Sequence, residues 1–187
     1  MASIINALTS GGGVAISGDT SGNLAIQSAG TNIATFNTSG NMVFGVSNAG
    51  INFNNSSAVG ASTLNDYETG TWTPTATPNS GGTITSYTSF GTYTKVGRMV
   101  NLTFKIILTN PGTASGSLAW GGAPFLSGTT NQQSPLIVRE GAATGYIYQA
   151  WVDSGATGGT IQSTTGGSIS WTTGYSYYCN VTYPAAS

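Results

Sequence analysis

Along most of this chain apolar and polar residues alternate with a period of two, not the 3.6 of a helix. The run Val100-Asn101-Leu102-Thr103-Phe104-Lys105-Ile106 predicts a half-buried strand. The end of the chain repeats the pattern. Tyr175, Tyr177, Cys179, Val181 and Tyr183 share one face there, with Ser176, Tyr178, Asn180 and Thr182 opposite. Further strands are expected over Thr69–Thr77, Gly91–Val96, Leu136–Arg139, Tyr146–Val152 and Ser168–Trp171. Asn110-Pro111-Gly112, Gly121-Gly122 and Gly158-Gly159 carry turn chemistry. Roughly six to eight short strands over about 120 residues point to an antiparallel β-sandwich, jelly-roll-like.

Nearer the start the alternations are shorter: Leu24-Ala25-Ile26, Ile33-Ala34-Thr35-Phe36, Met42-Val43-Phe44 and Ile51-Asn52-Phe53. Ser21-Gly22-Asn23, Ala29-Gly30-Thr31-Asn32, Ser39-Gly40-Asn41 and Asn48-Ala49-Gly50 separate them. Such spacing predicts hairpins or a meander. Helix is disfavoured, because Gly, Ser, Thr and Asn are poor in helix interiors. Each strand offers only one or two large apolar side chains, too few for a one-chain core. The segment therefore reads as a β stalk that is stable when copies pack together, or alternatively as a flexible Gly/Ser linker.

Composition sharpens the division. Residues 1–65 hold one charged residue, Asp19, and no Trp, Tyr or Pro; every Lys and Arg lies beyond them. A boundary at Ala61–Leu64 follows, with a stalk over 1–63 and a head over 64–187. The whole chain of 187 residues has 4 Lys+Arg, 5 Asp+Glu, no His and one Cys. A net charge of −1 argues against a nucleic-acid partner, which needs a basic stripe. Metal sites are built from His, Cys and clustered carboxylates, so neither metal nor other cofactor is expected. No apolar run reaches the ~18 residues of a transmembrane helix, so membrane insertion is not expected either. At 39% hydrophobic and 10% aromatic residues the chain should nonetheless fold.

Catalytic chemistry has little to work with. Without His there is no ordinary base for a Ser nucleophile, and Cys179 belongs to the apolar face of its strand. Glycoside hydrolysis needs two carboxylates flanking the bond, for which Asp66, Glu68, Glu140 and Asp153 are the candidates. A non-enzymatic protein is expected. The aromatics carry the binding potential, with Trp120, Trp151, Trp171 and Tyr178 as candidates for holding sugar rings. For any one Trp a core position is the stronger expectation. Alternation puts Tyr178 opposite the core face.

Leu64-Asn65-Asp66-Tyr67-Glu68-Thr69-Gly70-Thr71-Trp72-Thr73-Pro74 resembles the "DYE-x-GTWTP" opening of a domain found in bacteriophage tail-fibre and other virion structural proteins. Tyr93-Thr94-Lys95-Val96-Gly97-Arg98-Met99-Val100 is similar to the "Y-x-K-x-G-R-x-V" strand that follows it there, and Ala123-Pro124-Phe125 to a later "PF" segment. Phe36-Asn37-Thr38-Ser39-Gly40-Asn41-Met42 resembles a stalk repeat, and Met1–Ala7 with Thr31–Thr35 resembles the start of such proteins. The "GIGT" turn that often ends those repeats is replaced by Phe44-Gly45-Val46-Ser47. The resemblance implies a homotrimeric stalk on the virion surface, assembled in the host cytoplasm. Its N-terminal segment would hold other virion proteins, and its head would meet a host-surface glycan or protein. It also makes Asp66 and Glu68 caps of a turn or partners of Lys95 or Arg98, not catalysts. Two functions fit: a tail fibre or receptor-binding adhesin, which the motifs favour, and a capsid decoration, cement or head-fibre protein, which the small size favours.

Overall fold

The computed structural model describes residues 21–45, 51–52, 63–64, 66–129 and 133–186, and the Met1–Ala7 segment and the Asn48-Ala49-Gly50 turn lie outside them. All regular structure among the described residues is β. The chain divides into two compact units, Met1–Asn65 and Asp66–Ser187.

In the first unit β1 (Leu24–Ser28), β2 (Thr31–Phe36) and β3 (Met42–Phe44) form an antiparallel meander. Ala29 and Gly30 link β1 to β2, both at positive φ, as a tight two-residue hairpin turn requires. Asn37 shapes the next turn: its Oδ1 accepts the N–H groups of Ser39 at 3.1 Å and Asn41 at 3.0 Å. Cross-strand register places Leu24, Phe36 and Met42 in one row and Ile26, Ala34 and Phe44 in the next. Residues two apart share a face, so these six apolar side chains gather on one side of the sheet, up to the register shift after Ile26. Yet Ile26, Phe36 and Met42 remain 49%, 41% and 47% exposed. A short pair, β4 (Ile51–Asn52) with β5 (Thr63–Leu64), completes the described part of the unit.

The second unit is one continuous antiparallel sheet of nine strands. They are β6 (Tyr67–Trp72), β7 (Thr75–Pro78), β8 (Ser86–Val96), β9 (Met99–Asn110), β10 (Leu118–Gly121), β11 (Ser134–Glu140), β12 (Ile147–Val152), β13 (Gly159–Ser163) and β14 (Ser176–Pro184). Their order is β6-β8-β9-β14-β11-β12-β13-β10-β7. The outermost strands β6 and β7 are separated in sequence only by Thr73-Pro74, so the sheet must curl until its two edges meet. Across that junction Trp72, Pro74 and Ala76 keep pointing inward while the pairing partner changes from β8 to β10. Proline suits the change of partner, because it has no N–H to give to a ladder. The expected single strand Thr69–Thr77 is thus two strands with one facing pattern.

The curled sheet encloses the core. Val100, Leu102, Phe104, Ile106 and Leu108 of β9 are all buried, as alternation predicted. Tyr177, Cys179, Val181 and Tyr183 of β14 join them, with Tyr175 half-buried just before the strand. Ser168–Trp171, expected as a strand, joins no sheet; the Ile169 N–H donates to the Gly116 carbonyl at 3.1 Å. The Gly121-Gly122 and Gly158-Gly159 pairs only border turns, because Gly121 ends β10 and Gly159 begins β13. A Cβ on Gly159 would lie 1.8 Å from the Trp151 carbonyl oxygen, so the glycine is there to let two backbones approach.

Candidate functional site

The three resemblance segments of the head converge on one structural clasp. β6 pairs with β8 in the register Glu68↔Lys95 and Gly70↔Tyr93. The Lys95 ammonium donates to Asp66 and lies 3.5 Å from Glu68. It also sits 5.1 Å from the centroid of the Phe125 ring, which meets Tyr93 edge-on at 5.3 Å. Tyr93 packs so closely over Gly70 that a Cβ there would reach its ring at 2.7 Å. Arg98 closes the end of the sheet by donating to the Ala185 carbonyl from Nε and Nη2 at 3.1 and 3.0 Å. Asp66 and Glu68 therefore pair with Lys95, while Arg98 bonds to backbone. These residues fasten a sheet edge.

The remaining described carboxylates are also engaged. Glu140 is shut from solvent and forms the hub of the β11–β12 loop. It accepts backbone N–H bonds from Ala142 at 2.8 Å, Ala143 at 3.0 Å and Thr144 at 2.7 Å, and from Ser176 across the loop at 3.1 Å. Burial pushes its pKa up, but the N–H groups of Thr144, Ala142, Ser176 and Ala143 outweigh burial and lower it to about 2. Asp153 accepts the Trp151 indole N–H at 2.7 Å. Cys179 is buried, and burial pushes its thiol well above the ordinary range, which makes it a poor nucleophile.

Of the four aromatic candidates the structure separates two from two. Trp120 is in the core, against Phe104 at 4.7 Å and Trp72 at 6.4 Å, and has no face for a ligand. Trp171 is half-buried against the core, and its indole N–H donates to the Gly116 carbonyl at 2.8 Å. Trp151 and Tyr178 both stand on the outer face of the sheet, with Tyr178 48% exposed.

Register arranges that outer face in rows. One row runs Phe90, Lys105, Tyr178, Arg139, Ile147 across five adjacent strands. Ile137 and Gln149 pair in a second row, and Pro135 and Trp151 in a third. A shallow groove of about 870 Å³ lies along the second and third rows, lined by Gln133, Pro135, Ile137, Gln149, Trp151 and Asn180 among others. An indole face beside two Gln and one Asn suits a sugar, whose C–H face stacks while its hydroxyls meet amides. Sequence reasoning missed Ile137, Gln149, Gln133 and Phe90. Gln149 and Ile137 belong to alternating strands, so strand register alone could have placed them beside Trp151.

No protein-family model matches the chain, and neither a curated protein nor a solved structure matches it.

Proposed function

We propose that this is a non-enzymatic bacteriophage virion surface protein of the tail-fibre or adhesin type. In this reading a homotrimeric β stalk fixes a sandwich-like head to the particle, and the head attaches to a host-surface glycan. The observation that carries it is the outer face of the head. There Ile137 lines the Trp151 groove while Phe90, Tyr178 and Ile147 stay exposed along the charged row, although the same sheet buries a full apolar core on its other side. Exposed apolar patches of this kind mark binding surfaces. The motif resemblance supports the phage assignment, and the one-sided apolar face of the β1–β3 meander supports oligomerisation. The clasp and the hub account for Asp66, Glu68, Lys95, Arg98 and Glu140 as fastenings, which favours a binding role over catalysis.

The reading is tested by immunogold labelling of particles from the phage that encodes the chain. Signal confined to the tail is expected. Signal spread over the capsid would overturn the adhesin reading in favour of decoration.

A further inference from the structure

Resting on that attachment reading, the geometry points to an acidic polysaccharide as the ligand, its anionic group held between Lys105 and Arg139 and its ring carbons on Tyr178 and Trp151.

The head has four cations. Lys95 is held by Asp66 and Glu68, and Arg98 by the Ala185 carbonyl. Lys105 and Arg139 form no ion pair among the described residues, and both flank Tyr178 on the neighbouring strands β9 and β11. Two strand spacings separate them, roughly 10 Å, with both side chains on the outer face. The Lys105 ammonium lies 5.3 Å from the Tyr178 ring centroid, a cation–π distance that holds the ring and the charge together. Tyr178 also packs at its ring edge on Gly141, where a Cβ would meet Cε2 at 2.7 Å. Glu140, the carboxylate next to Arg139 in sequence, faces inward and is surrounded by backbone N–H groups. It leaves the outer face positive.

An anion fits this row because a guanidinium fork and an ammonium can share one carboxylate or phosphate. From Arg139 to Pro135 the face runs four residues along β11, about 14 Å at ~3.4 Å per residue. The charged row and the Trp151 groove therefore take successive units of one chain. Asp153, beside Trp151, favours a neutral unit at that end. Two cations suit a sparsely charged glycan; nucleic acid needs many more.

The test uses the full chain and a panel of hyaluronan, gellan and xanthan, whose acidic units are interspersed with neutral ones, with neutral dextran and pullulan alongside. Retention in affinity electrophoresis is compared for the wild type, K105Q/R139Q and W151A. At least one acidic polymer should retard the wild type. Binding should weaken at least tenfold in K105Q/R139Q and fall as salt rises, with unchanged thermal melting because both residues are on the outer face. If no acidic polymer is bound, or K105Q/R139Q binds as the wild type does, the inference is overturned. Binding of a neutral glycan that W151A loses and K105Q/R139Q keeps would overturn the acidic ligand while leaving glycan attachment standing.

Discussion

Glu140 shows how one residue can organise a region of the head. Its carboxylate gathers backbone N–H groups from its own loop and from the start of β14, and so fixes the strands that carry Arg139 and Tyr178. With its folded pKa lowered to about 2, the ionised form contributes stability above the ordinary carboxyl value of 4.5. That contribution is lost as pH falls from about 4.5 towards 2. Glu140→Gln should cost roughly 2–4 kcal/mol at neutral pH, since buried N–H groups lose an ionised acceptor. Thermal melting followed by circular dichroism from pH 7 to 2 checks both points: the variant should melt lower at pH 7 and lose less on acidification. The sequence shows Glu140 only as one of a few carboxylates, because its partners are backbone groups that composition cannot reveal. Alternation did separate Tyr178 from its buried neighbours. It could not separate Trp151 from Trp120, which falls on a strand too short and too glycine-flanked to show a period.

The strands themselves were largely legible in the sequence, and the failures have particular causes. β9 and β14 alternate over many residues, and β1 to β3 carry clear Gly/Asn turns. β10 and β13 were not foreseen, because their glycines read as turns, whereas Gly158 and Gly159 let the backbones of Trp120 and Trp151 approach closely. Ser168–Trp171 has the composition of a strand, but the Ile169 N–H and the Trp171 indole N–H both donate to the one Gly116 carbonyl, and no ladder forms. The meander raises a question of stability at this scale. Its apolar face leaves Phe36 and Met42 adjacent and exposed, in a sheet of three short strands. Such a sheet needs packing against another surface. In the proposed trimer, copies of this face cover one another. Phe36→Asp should therefore shift the full chain from trimer towards monomer in sedimentation velocity; an unchanged trimer would remove this face from the interface.

At the scale of the molecule the sheet order was beyond reach of the sequence. Joining β6 to β8, and β7 to β10, depends on pairings remote along the chain, and periodicity carries no such information. The same closure brings Asp66, Lys95 and Phe125 together, so the most recognisable segments are fastenings of the sheet and not its working surface. The proposed function lies instead on the outer face, where Tyr178 is 48% exposed and Trp151 half-buried, both turned away from the core. The most direct test of that placement is a glycan array probed with the full chain and with a W151A/Y178A variant of equal thermal stability. Binding of one or more glycans by the wild type, weakened at least tenfold in the variant, is the predicted result. No binding by the wild type, or equal binding by both proteins, would contradict it.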